Sequence, residues 1–464
     1  MEPVSDRGLW NEDLAPTPAA QRTWTTWHVA SLWVGMAVCI PTWMMAADMI
    51  KAGMSVAQAL VTVALGNVVV LIPMVLDAHP GTAYGIPFPV FARAAFGVRG
   101  ANLAAISRAL VACGWFGIQT WIGGGSIHAI LSVAGVDGGA IIPALGIDGL
   151  QLLCFLAFWL VNVYFIWRGI ESIKWLESLA APFLLIGGTA LLVWAWSTHG
   201  TGKLFDAPGL AGAALFETFG PFFTAMVAFW GTLALNIPDF SRFCRSQRDQ
   251  IVGQSIALPT TMTYFAFIGA AVSSATGLWD PSVLIASFPS PLVVVIGLIG
   301  LAVATLSTNI AANVVSPAND FSNLAPGKID YKLGGYITAA IGVVIMPWHL
   351  TNNYVFGWLG GYGALLGPIC AVLIVDYWVI RQKRLVVDDL YRRGGAYEYE
   401  GGWNRWAVIA TVLGVIPNLP GFLHAVALVD SVPRIFDQLY AYNWFVGFAV
   451  GALVYWAAMR RRVT

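Results

Sequence analysis

The feature that most constrains this chain is the recurrence, from end to end, of apolar runs about as long as a bilayer is thick. A helix crosses a hydrocarbon core of roughly 30 Å in about 20 residues. Twelve segments have that character: 27–50, 55–76, 102–134, 149–168, 173–195, 213–237, 253–277, 291–316, 333–347, 353–380, 404–426 and 440–459. The ninth is short, and the eleventh is interrupted by Pro417 and Pro420. Of the 464 residues, 58% are hydrophobic and 10% charged, against about a quarter charged in a soluble domain. One water-soluble core cannot hide that much apolar surface, so lipid must cover the rest. The zero net charge offers nothing to nucleic acid or acidic partners, and no obligate protein partner is expected. Cys39, Cys113, Cys154, Cys244 and Cys370 form no CxxC pair and read as small packing residues. The segment up to Gln21 is polar and does not resemble a cleavable leader, which makes the first span the expected insertion signal.

Lys and Arg test the count. With the N-terminus inside, the inner loops hold Arg93, Arg99, Arg168, Lys174, Arg242, Arg245, Arg248, Lys328, Lys332, Arg381, Lys383, Arg384, Arg392, Arg393 and Arg405. The tails add Arg7, Arg22 and Arg460 to Arg462, whereas the outer loops hold only Lys51, Lys203 and Arg434. This skew is what the positive-inside rule demands of a multi-pass protein of a cell's inner (plasma) membrane with both termini cytoplasmic. The expected organisation is a tail (1–26), two five-helix units (27–195 and 196–380), an inner loop (381–403), two further helices (404–459) and a short tail (460–464). The stretch 78–100, with three prolines, reads as an ordered loop, and 387–391 as a solvated connector.

An internal repeat suggests how the spans are arranged. Leu32 to Trp43 aligns without gaps to Phe229 to Phe240, with Trp, Ala, Ile and Pro recurring at one offset. The first copy starts inside and the second outside, the mark of an inverted repeat. Both carry a proline, which removes a backbone donor and clashes with the preceding turn. In lipid such a break survives only where protein or a cavity satisfies the freed groups. Transporters built this way bind substrate and ion at the midplane, between broken helices.

Two stretches could carry chemistry. Trp115 and Gln119 lie four apart in the third span and share a helix face. An indole and a carboxamide together suit a flat heterocycle, one by stacking and the other by donating and accepting; packing and helix–helix adhesion would explain them equally well. In the eighth span, Ser307, Thr308, Asn309 and Asn313 gather hydroxyls and amides within a few residues. Hydroxyls with nearby carbonyls make a hard oxygen site suited to sodium, although Ser and Thr also bond their own helix. Asp48, Glu177, Glu217, Asp239 and Asp376 lie in or near spans and read as interfacial. No paired acid and base, metal spacing or nucleophile motif points to an enzyme, and no cofactor is expected beyond a coupling ion.

At these residues the chain resembles the nucleobase:cation symporter-1 family of hydantoin, allantoin and uracil permeases. The likeness runs from Asn11–Leu14 and Arg22–Trp24 through Trp115–Trp121, Asn236–Phe240 and Ser307–Pro317 to Leu366–Pro368, Asp376–Tyr377 and Asp389–Tyr391. It implies an all-α membrane fold of twelve helices, a leucine-transporter-like five-plus-five inverted repeat with two added. It implies cation-coupled import of a small planar heterocycle such as hydantoin, allantoin, uracil or another nucleobase. Trp115 and Trp230 would sandwich the ring; Gln119 and Asn313 would read its edge, with Asn309, Phe229 and Cys39 also lining the site. The Gly35, Val38 and Ala304 carbonyls with the Ser307 and Thr308 hydroxyls would hold sodium; a proton is the alternative coupling ion. The rival readings are a same-fold carrier of amino acids or thiamine-like cations and, behind it, an intramembrane enzyme.

Overall fold

The structure is a computed structural model that describes residues 6, 8–200 and 208–462, with side chains throughout except 170–181 and 351–356. Arg7, Lys203 and the side chains of Lys174 and Glu177 lie outside the described residues.

The chain opens with α1 (Thr26–Ala37) and α2 (Ile40–Lys51), two halves of one span bent by 56°. There follow α3 (Val56–Tyr84), α4 (Phe88–Phe96), α5 (Ala101–Val133), a two-stranded hairpin of β1 (Ile141–Ile142) and β2 (Ile147–Asp148), α6 (Gly149–Arg168) and α7 (Ile170–His199). The second half runs through α8 (Gly212–Asn236), α9 (Pro238–Ser241), α10 (Gln247–Thr276), α11 (Pro281–Ala286), α12 (Pro291–Asn313), α13 (Val315–Leu324), α14 (Tyr331–Val344) and α15 (Gly360–Ile374). Last come α16 (Arg405–Val415), α17 (Leu419–Ala425), α18 (Arg434–Ala441) and α19 (Asn443–Met459). Helix starts are written locally. Ser55 and Gln58 form a reciprocal capping box on α3, as do Asp148 and Gln151 on α6, each satisfying amides that a helix N-terminus leaves free.

Among the described residues, eight helices are long and apolar enough to cross a membrane, and two bent pairs, α1–α2 and α18–α19, bring the total to ten. The other two expected spans fall on α7, a 30-residue helix, and α14, whose 14 residues cover only about 21 Å.

The helices pack as two bodies. One is built from α1, α2, α3, α8 and α10; the other from α5, α6, α12, α13 and α14. Helices α15, α16 and α19 form a third cluster, which α15 joins to α8. At one end, here called the terminal face, residues 8–24 strap the bodies together. Asn11 donates to the Ser322 hydroxyl at 2.7 Å, Arg242 to the Asp13 carbonyl at 2.9 Å, and Tyr391 to the Leu14 carbonyl at 2.8 Å.

Three expectations need correction here. The stretch 78–100 is largely helical, since α3 runs through Pro80 to Tyr84 and α4 follows almost at once. Pro80 cannot donate to the Leu76 carbonyl, and the Trp378 indole takes that acceptor instead at 3.1 Å. Gly81 is needed there because a Cβ would strike the Pro238 backbone, and Gly85 ends the helix at φ 75°. The connector 387–391 is only partly solvated: Asp388 is exposed, but Asp389, Leu390 and Tyr391 are buried under the strap. Asp239 and Asp376, expected at the interface, are enclosed by protein rather than open to it, each being 1% exposed. Asp376 accepts from Arg381 at 2.7 Å and from Tyr455 at 2.7 Å. Burial by itself would lower the Arg381 pKa, but Asp376 and Tyr399 more than compensate and raise it above the ordinary guanidinium range. Asp48 and Glu217 are partly exposed and pair with Lys51 and Arg434.

Candidate functional site

Where α1, α5, α8 and α12 approach one another, the aromatic residues form a chain of edge-to-face contacts. Trp115 meets Phe229 with centroids 5.2 Å apart, Phe229 meets Trp230 at 4.9 Å, and Trp230 meets Trp33 at 5.2 Å and 82°. Phe229 thus sits against both indoles. Trp33 and Trp230 are equivalent positions of the sequence repeat, so the two halves of the chain touch through their matching residues. Trp115 donates to the Tyr362 hydroxyl at 3.3 Å, and Trp230 to the Met262 sulfur at 2.9 Å. Trp358 adds a further edge contact to Trp115 at 6.4 Å. The cluster is shut off from solvent: Trp115 and Trp230 are 5% and 2% exposed.

The amides fall into two kinds. Gln119 is buried, and its Oε1 has no hydrogen-bond partner among the described residues. A buried, unpaired carbonyl costs about 1–3 kcal/mol and can accept from any donor brought to it. Asn313 donates to the Asn309 side-chain oxygen at 3.0 Å. Asn309 itself is spent on the protein, donating towards the Phe116 carbonyl at 3.2 Å, the Thr120 hydroxyl at 3.2 Å and the Asn162 side-chain oxygen at 3.1 Å. With both ends of its carboxamide engaged, Asn309 braces Asn313.

The expected cation ligands gather at the break between α1 and α2. Pro41 leaves the Ala37 carbonyl without its helical donor, and the Thr42 hydroxyl fills that role at 2.9 Å. Val38 and Cys39 leave helical geometry, with Cys39 fully extended at φ −140° and ψ 158°. Thr308 donates to the Gly35 carbonyl at 3.1 Å across the gap, and Ser307 is wholly buried. Val38 and Ala304 line one wall of a cavity of about 600 Å³, together with Trp43, Phe183, Phe265 and Phe288. That cavity is almost wholly apolar and suits neither an amide heterocycle nor a cation. Cys39 also lines it, its sulfur 3.3 Å from the Thr42 hydroxyl.

Two helical turns nearer the terminal face, roughly 10 Å on, lies a buried polar layer that sequence reading passed over. Arg108 donates to the Asn236 side-chain oxygen at 3.1 Å and to the Ala312 carbonyl at 3.0 Å. Asn236 donates to the Ser316 hydroxyl, Ser316 donates to Asp239, and the Phe88 amide closes on Asp239 at 3.0 Å. Arg108 Nη1 and both Asp320 oxygens have no partner among the described residues. Arg108 lies two turns inside α5, and a charge that far into an apolar helix is the signal the sequence offers. For Trp33 the signal was the repeat itself. Tyr362 and Trp358 carried none.

The comparisons with known proteins come down on one side. The family model described as "Permease for cytosine/purines, uracil, thiamine, allantoin" matches residues 16–447. A purine-uracil permease of Arabidopsis thaliana is 41% identical, covering 98% of this chain and 78% of that protein. An allantoin permease of Bacillus subtilis is 38% identical, covering 97% and 93%. Among solved structures, Mhp1, a nucleobase-cation-symport-1 family transporter in a closed conformation with bromovinylhydantoin bound, matches with TM-score 0.80 at 25% identity, covering 97% of this chain and 95% of that one. A Na+-coupled sialic acid symporter, 12% identical, shares the fold at TM-score 0.61.

Proposed function

The chain belongs to the family of permeases for cytosine/purines, uracil, thiamine and allantoin, and from that premise we propose that it imports a small lactam or ureide heterocycle of the hydantoin, allantoin or uracil kind, driven by sodium. It is a multi-pass membrane transporter and not an enzyme. The observation that carries the substrate reading is the buried unit of two indoles and two carboxamides where α5, α8 and α12 meet. Trp115 and Trp230 are the faces between which a flat ring would insert, with Phe229 turning aside to admit it. Gln119 and Asn313 are the polar edge. Each hydrogen bond they make would contribute about 0.5–1.5 kcal/mol net.

The Thr308 bridge to the Gly35 carbonyl supports sodium at the α1–α2 break. Gly35, Val38 and Ala304 would offer carbonyls, and Ser307 and Thr308 hydroxyls, a hard oxygen set that fits sodium. A cation there would tie the body containing α1 to the body containing α12, the same two bodies that would enclose the substrate. Both ligands then favour one conformation, and by linkage each raises the affinity of the other by the same factor. On this reading the two five-helix units are 27–195 and 196–380, the terminal face is cytoplasmic, and the protein resides in the plasma membrane.

Tryptophan fluorescence of the purified protein, titrated with hydantoin, allantoin, uracil and cytosine in sodium and in choline, tests the proposal. Saturable quenching that tightens in sodium is the expected result. Quenching indifferent to sodium would replace it with a proton as coupling ion, and no quenching by any of these compounds would remove the substrate class.

A further inference from the structure

The orientation of the Asn313 carboxamide is dictated by a row of side chains ending at two backbone carbonyls. A carbonyl oxygen only accepts, so any amide facing one must present nitrogen. Asn162 donates to the Phe158 carbonyl at 2.9 Å, which turns the Asn162 oxygen toward Asn309. Asn309 also faces the Phe116 carbonyl and therefore presents its nitrogen there. The Thr120 hydroxyl spends its proton on that same carbonyl at 2.7 Å, leaving only a lone pair for Asn309. The Asn309 oxygen is thereby directed to Asn313, which must answer with its nitrogen. What remains is the Asn313 oxygen, which accepts no hydrogen bond among the described residues, on a side chain that keeps 5% of its surface open. Gln119 has no such chain behind it, and its oxygen is simply unpaired.

We propose that Asn162 and Asn309 are specificity-determining positioning residues, which lock the Asn313 carboxamide as an acceptor so that the transported ring must offer an N–H at that edge. The inference rests on the substrate site described above and sharpens it. A lactam or imide N–H satisfies the fixed oxygen. A ring nitrogen with a lone pair at the same place meets oxygen against nitrogen and leaves a buried acceptor unpaired. Gln119 is free to turn its amide over and match either pattern, so discrimination falls on Asn313 alone.

Uracil and cytosine separate these cases, having one ring shape but opposite donor–acceptor order along the N3–C4 edge. Fluorescence titration of the unaltered protein should favour uracil by about 10- to 100-fold, the range set by one unpaired buried polar group. Asn309→Leu frees Asn313 to rotate, and the ratio should fall toward one even where absolute affinity also drops. Asn309→Asp, protonated in this buried place, can donate to the Phe116 carbonyl and accept from Asn313, and should restore the preference. Asn162→Ala, a milder change, should give an intermediate ratio and serves if the leucine variant does not fold. Equal binding of the two pyrimidines by the unaltered protein, or a preference unchanged in both Asn309→Leu and Asn162→Ala, would overturn the relay while leaving the substrate class intact. Failure of the unaltered protein to bind any N–H heterocycle, hydantoin and allantoin included, would overturn both.

Discussion

The cluster around Asp376 and the cluster around Trp115 are both crowded with buried polar side chains, yet they satisfy them in opposite ways. Around Asp376 almost every group is spoken for: Arg381 and Tyr455 hold the carboxylate, and Tyr399 donates to the Ala94 carbonyl at 2.7 Å. Around Trp115 the polar atoms are rationed, with Gln119 Oε1 unpaired and the Asn313 oxygen left over. A saturated network resists change, because breaking any bond strands its partner in a low-dielectric interior. An unsaturated one waits for a partner. On the proposed function, the work of holding the fold falls around Asp376 and the work of binding around Trp115.

The largest effect is expected from breaking the saturated layer. Asp376→Ala leaves the Arg381 charge buried without its partner and should cost about 3–5 kcal/mol, seen as loss of folded protein or a large drop in melting temperature in detergent. Retention of normal stability would mean that Arg381 finds another partner and that the two layers differ less than their geometry implies. In the middle layer, Trp230→Ala removes one face of the proposed stack and should weaken heterocycle binding by about 1–3 kcal/mol, the scale of stacking a base on an aromatic side chain. Uptake at the ordinary rate by this variant would sink the site assignment.

Smaller effects sharpen the contrast. Ser307→Ala combined with Thr308→Ala removes two hydroxyls at the helix break and should reduce the tightening of substrate binding by sodium, at about 0.5–1.5 kcal/mol for each lost contact. The comparison to make is affinity in sodium against affinity in choline, and an undiminished ratio would move the cation elsewhere. Gln119→Leu should separate stability from function. Its carbonyl has no partner among the described residues, so an apolar replacement should leave the melting temperature unchanged or slightly raised while binding weakens about two- to tenfold. A fall in both would show that Gln119 belongs to the structural layer.

Parts of this arrangement were written plainly in the sequence. Span length and the absence of charge mark the membrane helices, because lipid imposes a length that no soluble core does. Pro41 announces the break after α1, and the recurrence of Trp33 at Trp230 places two residues that meet at the centre. Trp115 with Gln119, and Asn309 with Asn313, could be paired from helical spacing alone.

Other features depended on chain segments hundreds of residues apart. Spacing along α12 makes Asn309 and Asn313 look alike; only Phe116, Thr120 and Asn162, contributed by α5 and α6, show that Asn309 is fully engaged while Asn313 keeps an oxygen over. The charges at Arg93 and Arg108 look like loop or span-end residues until Asn323, Leu390 and Asn236 arrive to bind them. Cys39 lies in the break itself, and its extended backbone leaves it lining the apolar cavity. Local sequence thus determines which segments are helical, where they break and which faces are polar, since these follow from covalent geometry and from transfer between water and lipid. Tertiary structure decides which polar atoms are consumed and which are left for a ligand, because a hydrogen bond is satisfied only by the partner that packing brings within about 3 Å.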